Sequence, residues 1–181
     1  MLSEFDLITK YFTKPISNAS LGIGDDCALL MPTPGTQMAI STDMLVSGTH
    51  FFPDTDPAQL GYKSLAVNLS DLAAMGADPV AFTLALALPR AEETWLKPFS
   101  EGIFSLADLF QCELIGGDTT KGPLNICITV FGQIPLGQAI RRDNARHGDD
   151  IWISGTIGDA RLALVHCRRE TALSDDEFSK V

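Results

Sequence analysis

The sequence predicts an α/β (α+β) fold, a two-layer sandwich in which helices cover a mostly mixed or antiparallel sheet. Short apolar or alternating runs, typical of strands, recur between longer segments with helical spacing. The 181 residues are 45% hydrophobic and 20% charged, which supplies enough apolar side chain for a packed core. This length accommodates one good-sized domain, or one domain and part of another.

The predicted helices are recognised by the spacing of their apolar residues and by the residues at their ends. In the first helix, Phe5, Ile8 and Phe12 lie on one face. The second has a proline near its start and Gly76 just past its end. Pro98 delays the start of the third helix or kinks it. The helices predicted in this way cover residues 2–12, 57–75, 92–110 and 158–168.

The predicted strands are short runs of alternating or continuous apolar character. Residues 80–88 contain little polarity, which indicates a strand buried on both faces. Residues 112–115 are predicted as a short strand that ends in the glycine-rich sequence 116–120, and residues 22–26 as a turn. The strands predicted in this way cover residues 37–44, 80–88, 112–115, 125–134 and 151–154.

A domain boundary is predicted near Gln138, at the start of a polar, charged segment. Residues 1–137 contain most of the predicted elements and are expected to form the N-terminal domain. Residues 138–181 contain one predicted strand and one helix, too little to enclose a core. They are therefore expected to be the beginning of a C-terminal α/β domain that is truncated in this chain.

Composition and charge exclude several classes of function. Thirteen basic against 23 acidic residues give a formal net charge of -10, without the basic surface that a nucleic-acid-binding protein needs. No apolar run is long enough to cross a bilayer, and Glu4 and Asp6 occupy positions where a signal peptide carries basic residues. We therefore expect a soluble, cytoplasmic protein with no nucleic-acid or membrane partner. The four cysteines lack zinc-binding spacing, so free thiols are expected, buried where they lie in strands.

Four acidic sites lie beside Gly, Ser or Thr at predicted element edges: Asp25-Asp26, Asp43, Asp71 and Asp118. Carboxylate and hydroxyl oxygens are ligands that Mg²⁺ prefers, and Mg²⁺ shares its remaining positions with phosphates. A glycine beside the acid lets a phosphate or a metal approach the backbone closely. Each site taken singly is also explained as a turn residue or a helix cap.

Asp71 is the acid that a turn or a cap explains least well. It lies inside the predicted helix 57–75, on one face with Ser64 and Asn68. The flanking residues are nearly all apolar, so we expect this helix to be largely buried, where an unpaired carboxylate is costly. A polar stripe that faces solvent is the alternative. The presence of three other acidic sites favours a metal-binding role.

The signatures of several other enzyme classes are absent. The chain contains no P-loop sequence and no G-x-S-x-G elbow, and Gly22-x-Gly24 lacks the third glycine of a dinucleotide-binding fingerprint. Phosphoryl transfer requires mainly positioning and charge neutralisation, both of which carboxylate-held Mg²⁺ supplies. The residues by themselves therefore predict a metal-dependent enzyme that acts on phosphate groups.

Four motifs occur in a recognisable order and at suitable separations. They are GIGDDCA at 22–28, STDMLVSGTHF at 41–51, KSLAVNLSDLAAMGA at 63–77 and GGDTT at 116–120. Together they resemble the N-terminal motifs of the thiamine-monophosphate kinase family, in the aminoimidazole-ribonucleotide-synthetase-like superfamily. The later sequence SGTIGD at 154–159 resembles the opening of that family's second domain. The resemblance implies the N-terminal fold of this superfamily over most of the chain.

The resemblance also implies an activity: ATP-dependent phosphorylation of thiamine monophosphate to thiamine diphosphate, by direct transfer to the substrate phosphate. Because the accepting phosphate oxygen is already ionised, no protein base is needed, and several Mg²⁺ ions stabilise the transferred charge. A homodimer formed through the N-terminal domain is implied as well. The implied metal ligands are Asp26, Ser41, Thr42, Asp43, Asp71 and Asp118. The implied ATP contacts are Gly117, Asp118 and Arg142, and the implied thiamine monophosphate contact is His50.

Alternatives remain at single residues and for the whole chain. His50 is also explained by a structural hydrogen bond, Arg142 by a solvated pair with Arg141, and Asp25 by turn amides. Another ATP-dependent enzyme of the superfamily is the second hypothesis, although His50 and the 68–71 sequence favour the thiamine enzyme. The third is a non-catalytic dimerisation and metal-binding fragment, since the family's second-domain Asp-Gly and Gly-Gly-Glu-Asp motifs do not occur in this sequence.

Overall fold

The computed structural model describes residues 3–181, except for the side chain of Glu4. These residues divide into two compact units, Met1–Arg142 and Asp143–Val181. No helix among them is long and apolar enough to cross a membrane. The helices are α1 (Glu4–Tyr11), α2 (Pro57–Met75), α3 (Glu93–Leu109), a 3₁₀ turn (Arg142–Asn144), α4 (Asp159–Cys167) and α5 (Asp175–Phe178). The strands are β1 (Ala19–Leu21), β2 (Leu29–Leu30), β3 (Thr36–Val46), β4 (Asp78–Leu88), β5 (Glu113–Lys121) and β6 (Asn125–Pro135).

The first unit is built on a four-stranded sheet with strand order β3-β6-β4-β5. Strand β6 pairs antiparallel with β3 and β4, whereas β4 and β5 are parallel. Parallel neighbours require a crossover connection, and α3 supplies it. Strands β1 and β2 form a separate two-stranded sheet. The predicted fold class, a mixed sheet covered by helices, is confirmed.

The core lies between one face of the large sheet and the helices α2 and α3. Alternate residues of β6, Ile126, Ile128 and Val130, are 0% exposed. The two helices pack so closely that a Cβ on Gly61 would lie 2.1 Å from the carbonyl oxygen of Phe99. Both helices therefore need a residue without a side chain at their crossing, and Gly102 is the corresponding residue of α3: its Cβ would lie 2.0 Å from a carbonyl oxygen of α2.

Local signals place α2 where the sequence predicted it, at Pro57–Met75. The side chain of Asp56 accepts the N–H of Gln59 at the start of the helix, and Gly76 ends it at a φ of 72°. Helix α1 confirms the position of the first predicted helix for the described residues, while Leu2 lies outside them. The predicted apolar face is wrong at Phe5, which is 80% exposed, since the helix buries Leu7 and Tyr11. Pro98 lies inside α3, so it does not delay the start of that helix.

Three strand predictions are wrong. Residues 116–120 continue strand β5, because they pair with β4. Strand β4 buries Phe82, Leu84 and Leu86 on the face that α2 and α3 cover. On the other face Ala81 is buried against Ala19 of β1, but Ala85 is exposed, so the predicted burial on both faces is wrong beyond the start of the strand. Residues 151–154 form no strand, since they find no pairing partner among residues 143–181.

The second unit contains α4 and α5. The side chain of His166 accepts the N–H of Leu173 at 3.0 Å, and its ring lies 4.7 Å from that of Phe178. Ile151 and Trp152 are 94% and 88% exposed. The predicted boundary near Gln138, and the identity of this unit as the beginning of a second domain, stay predictions.

All four cysteines are free, as expected. Cys112 is buried, and burial, reinforced by the neighbouring carboxylate of Glu113, raises the pKa of its thiol to about 12. Cys127, in β6, is only partly buried, because it lies on the sheet face that the helices leave open. Cys27 and Cys167 are exposed.

Candidate functional site

A cavity of about 850 Å³ brings two of the four sequence motifs together. The turn 22–26 forms one wall, residues 116–119 of β5 form a second wall, and α1 contributes apolar side chains. Asp26 lines the first wall, and Gly117 and Asp118 line the second. No Lys or Arg is among the described residues that line this cavity. The lining therefore offers an anionic ligand only backbone N–H groups and hydroxyls, unless a bound cation joins the ligand to the acids.

The turn that carries Asp26 is held by its own backbone and by Asp25. Gly24 has a φ of +122°, which favours glycine. The Oδ1 atom of Asp25 accepts the N–H of Asp26 at 2.8 Å, so Asp25 satisfies a turn amide, as its alternative interpretation predicts. The carboxylate of Asp26 is exposed and has no hydrogen bond or ion pair to another described residue. It is therefore free to bind a ligand.

The second wall depends on the close approach of Gly117 to the neighbouring strand. Gly117 has a φ of +148°, and a Cβ there would lie 1.9 Å from the carbonyl oxygen of Leu84. At Gly116 a Cβ would meet only the Cγ2 atom of Thr83, at 3.8 Å. The requirement for glycine is therefore specific to position 117. The carboxylate of Asp118, like that of Asp26, has no partner among the described residues.

A second group of polar residues lies where α2 crosses β3. The hydroxyl of Ser41 donates to Oδ2 of Asp71 at 2.6 Å, and the N–H of Asp43 donates to Oδ1 of Asn68 at 3.2 Å. Asn68 is 0% exposed, and its Nδ2 donates to the carbonyl of Ser64 at 2.9 Å. The polar face predicted for α2 is therefore real, and it orients the two acids of this group.

Two expectations about these acids are wrong. Asp71 is exposed, because α2 buries only the side that faces the sheet and α3; the burial cost expected for its carboxylate does not arise. Asp43 lies inside β3 and not at the edge of an element, because that strand continues to Val46. Neither finding removes these residues from the candidate ligands, since both carboxylates remain accessible.

Thr42 faces away from this group. Successive residues of a strand point to opposite faces, so Ser41 and Asp43 face α2 while Thr42 lies on the open face of the sheet. Its hydroxyl lies 2.9 Å from that of Thr129 on β6. Only the backbone of Thr42 is therefore close to the acids of the α2 crossing.

His50 follows β3 and its orientation is set by the backbone. Its Nδ1 accepts the N–H of Val46 at 3.0 Å, and its carbonyl accepts a hydrogen bond from Nζ of Lys63 at 2.7 Å. In the neutral imidazole the proton is consequently on Nε2, which is left as a donor. Arg142 is exposed in the 3₁₀ turn at the end of the first unit, outside the set of residues that line the cavity.

The structure thus places the predicted acids in two groups. Asp25, Asp26 and Asp118 line the cavity, whereas Asp43 and Asp71 lie at the α2 crossing. Among residues 3–181, no three His, Cys, Asp or Glu side chains are close enough together to hold a metal ion. The donors themselves, carboxylate and hydroxyl oxygens, fit Mg²⁺.

The contacts of three polar residues in the site region were missed in the sequence. Asn68 was recognised only as part of a polar face, although an amide in an apolar helix is a signal for a buried hydrogen bond. Glu113 binds the backbone of residues 17–18, and its only signal is an acid in the otherwise apolar strand predicted over residues 112–115. Asn18, which contacts two carbonyl groups across the chain, has no sequence signal.

Comparison with known proteins identifies the family of this chain. Residues 24–134 match the family model of the AIR synthase related protein, N-terminal domain. Thiamine-monophosphate kinase of Escherichia coli (strain K12) is 52% identical over 178 residues, which are 96% of this chain and 55% of the relative. The chain spans about half the length of the curated relatives it matches.

Solved structures have the same fold. The crystal structure of thiamine-monophosphate kinase from Stenotrophomonas maltophilia K279a superposes with a TM-score of 0.81 at 51% identity, over 89% of this chain and 52% of that one. AaThiL complexed with AMPPCP and TMP superposes with a TM-score of 0.74 at 29% identity, over 82% of this chain and 48% of that one. With a family model that covers most of its length, the chain belongs to the AIR synthase related protein family and contains its N-terminal domain.

Proposed function

We propose that this protein is an ATP- and Mg²⁺-dependent kinase that converts thiamine monophosphate to thiamine diphosphate. The observation that carries the proposal is the 52% identity to a thiamine-monophosphate kinase over 96% of this chain. The AaThiL structure, which contains AMPPCP and TMP, supports the choice of a nucleotide and a thiamine phosphate as ligands. The expected cytoplasmic location is part of the same proposal.

The proposed metal ligands are the exposed or half-exposed acids of both groups. The carboxylates of Asp26, Asp43 and Asp118 have no partner among the described residues, and Asp71 is held by Ser41. Because the cavity walls are acidic and contain no basic side chain, Mg²⁺ is the group that would neutralise the phosphates there. The chain itself orients the acids, since Asn68 holds the backbone of Asp43. The proposed ligand set is Asp26, Ser41, Thr42, Asp43, Asp71 and Asp118.

The proposed substrate contacts follow from position and hydrogen-bonding capacity. Gly117 and Asp118 line the cavity and are assigned to the ATP phosphates, with Arg142 as an additional cationic contact. His50 is assigned to thiamine monophosphate, which it would approach with its Nε2 proton because Nδ1 is already an acceptor for Val46. An Nε2 donor suits a phosphate oxygen.

We also propose a homodimer formed through the open face of the sheet. Ile40 and Met44 of β3 lie on this face and are 62% and 55% exposed. An apolar sheet face of this kind is typical of an interface. We expect Ile40→Lys to yield a monomer in size-exclusion chromatography with light scattering. Leu109→Lys, at the exposed end of α3, is the control and should leave the mass unchanged. A wild-type monomer contradicts this part of the proposal.

The division of the acids into two groups favours one alternative, a chain that binds nucleotide and metal without turnover. The deciding experiment incubates the chain with ATP, Mg²⁺ and thiamine monophosphate and detects thiamine diphosphate by mass spectrometry. Binding of Mg²⁺–AMPPCP is measured in parallel by calorimetry. Product supports the kinase, binding without product supports the alternative, and the absence of both contradicts the proposal for this chain. In separate incubations with ATP and Mg²⁺, formation of selenophosphate from selenide, or of aminoimidazole ribonucleotide from its open-chain amidine precursor, would indicate another enzyme of the superfamily.

A matched pair of variants tests the role of the acids. Because Asp43→Asn removes a proposed ligand charge, we expect Mg²⁺–AMPPCP to bind about tenfold more weakly or worse. A tenfold loss of affinity corresponds to about 1.4 kcal/mol. Asp78→Asn makes the same chemical change at an exposed residue outside both acidic groups and should have no effect. Equal affinity in the two variants contradicts the assignment of Asp43.

A further inference from the structure

We propose that Glu113 is a positioning residue that sets the separation of the two acidic walls of the cavity. It ties the segment that leads into the 22–26 turn to the start of strand β5. This inference rests on the proposed function, because it assigns the cavity to a metal-bound nucleotide. Glu113 itself does not line the cavity, so its effect is exerted through the backbone.

Both carboxylate oxygens of Glu113 accept hydrogen bonds from residues 17 and 18. One oxygen accepts the N–H and the hydroxyl of Ser17, both at 2.7 Å, and the other accepts the N–H of Asn18 at 2.8 Å. The Nδ2 of Asn18 in turn donates to the carbonyl oxygens of Val80 and Gln111, both at 2.9 Å. A segment that belongs to no helix or strand is therefore held at five points against the starts of β4 and β5. We call these five bonds the Glu113 clamp.

Short, packed lengths of chain connect this clamp to both walls. Glu113 is the first residue of β5, and the same strand carries Gly117 and Asp118. On the other side, residues 17–18 run directly into β1, whose buried Ala19 packs with Ile115 and Ala81. The turn follows β1 at once, and a Cβ on Gly22 would lie 3.7 Å from the carbonyl oxygen of Ile115. A shift of residues 17–18 would therefore move Asp26 relative to Asp118.

The hydrogen bonds of the clamp favour the ionised form of the Glu113 carboxyl. Burial opposes ionisation of Glu113, but the hydrogen bonds from Ser17, Asn18 and Ala19 outweigh it, and the pKa of the carboxyl lies below its ordinary value. No Lys or Arg among the described residues pairs with Glu113, so N–H and O–H donors alone stabilise the charge. The strand ladder of β5 does not depend on this side chain, since β5 pairs with β4 through its backbone.

The first test measures the geometry directly and needs no ligand. Spin labels are placed on the natural Cys27, next to Asp26, and on Thr120→Cys, an exposed site on β5, with Cys127 and Cys167 replaced by Ser. We expect Glu113→Ala to widen the distribution of label distances at least about twofold, because the wall formed by the turn is released. Glu113→Gln, which keeps one acceptor oxygen, should preserve most of the wild-type distribution. Equal distributions for wild type and Glu113→Ala overturn the proposal.

Gly102→Ala is the control for general destabilisation. It disturbs the crossing of α2 and α3, away from the cavity, and should leave the distance distribution unchanged. A broadening equal to that of Glu113→Ala would show that the measurement reports loosened packing and would overturn a specific positioning role.

The second test measures the consequence for binding. Where the wild-type chain binds Mg²⁺–AMPPCP, we expect Glu113→Ala to weaken that binding about tenfold, the size of effect that supporting residues have on metal sites. Glu113→Gln should recover most of the affinity, and Gly102→Ala should retain it. An unchanged affinity in Glu113→Ala overturns the positioning role. Failure of the wild-type chain to bind contradicts the proposed function, while the label distances still decide whether Glu113 sets the separation of the walls.

Discussion

Replacement of Gly117 by alanine tests whether the glycine-rich motif is needed for the fold of the sheet as well as for a ligand. The new Cβ would lie 1.9 Å from the carbonyl oxygen of Leu84 and 2.9 Å from its nitrogen. Both are backbone atoms in the middle of the β4–β5 pairing, so they cannot move without displacing a strand. The φ of +148° at position 117 also disfavours any residue with a side chain.

The two effects can be assigned magnitudes. A residue held in a conformation that only glycine adopts readily costs about 1–3 kcal/mol. Forcing an additional methyl group into a packed region costs about 1–3 kcal/mol. Together, Gly117→Ala should lower the free energy of unfolding by about 2–6 kcal/mol, a large part of the roughly 5–15 kcal/mol that stabilises a typical domain.

The assay is urea unfolding followed by the fluorescence of Trp95, which stacks on Phe99 in the core, with Trp152 replaced by Phe. With a denaturant slope of about 1–3 kcal/mol per molar, the midpoint of Gly117→Ala should fall by about 1 M or more. Gly116→Ala is the matched control, because its Cβ would make only an ordinary contact at 3.8 Å. If the two variants unfold at the same urea concentration, the close approach of Gly117 to β4 is refuted.

Four further predictions concern the core and the clamp. Asn68→Ala leaves the N–H of Asp43 without its partner and should lower the unfolding free energy by about 1–3 kcal/mol, whereas Ser70→Ala on the exposed side of α2 should not; calorimetric melting checks both. Gly61→Ala should lower the melting temperature although alanine favours helices, because its Cβ would lie 2.1 Å from a carbonyl oxygen of α3; an unchanged or higher value contradicts the packing. The lowered pKa of Glu113 stabilises the fold above the ordinary carboxyl pKa of 4.5, and this contribution is lost as the pH falls through the lowered value. The difference in urea midpoint between wild type and Glu113→Ala should therefore shrink between about pH 7 and about pH 3, and a constant difference would show that ionisation is not involved. Cys112, with a thiol pKa of about 12, should resist iodoacetamide in the folded chain while Cys27 and Cys167 react; labelling followed by mass spectrometry decides, and rapid modification of Cys112 contradicts its burial.

How far the fold could be predicted depended on how local the signals are. Helix α2 was predicted with the bounds that it has, because Pro57 and Gly76 act on the helix within a few residues of themselves. The prediction of strand β6 was nearly complete for a similar reason. The alternation of Ile126, Ile128 and Val130 can be recognised in the sequence without knowing which strand pairs with it. The predicted strand stopped before residues 116–120, because the glycines of this segment suggest a turn. Only the pairing with β4 makes these residues part of β5.

For the candidate site too, local features were predictable from the sequence, whereas the positions that depend on packing were not. The four motifs and their order identified the family from the sequence, and Ser64, Asn68 and Asp71 were correctly placed on one helical face. The sequence could not show that Asp71 is exposed, since the apolar residues around it do not reveal which side of α2 the sheet covers. It also could not divide the acids between the cavity and the α2 crossing.

By itself, the sequence determined what depends on neighbouring residues and on residue type: helix ends, strand alternation, acidic chemistry and membership of the family. The tertiary structure alone decided which distant segments meet. Glu113 binds Ser17, 96 positions earlier in the chain. Position 117 has no room for a side chain, because the backbone of Leu84 in another strand lies against it. Such contacts leave no periodic trace in the sequence, because they depend on how whole strands and helices pack and not on the residues beside them.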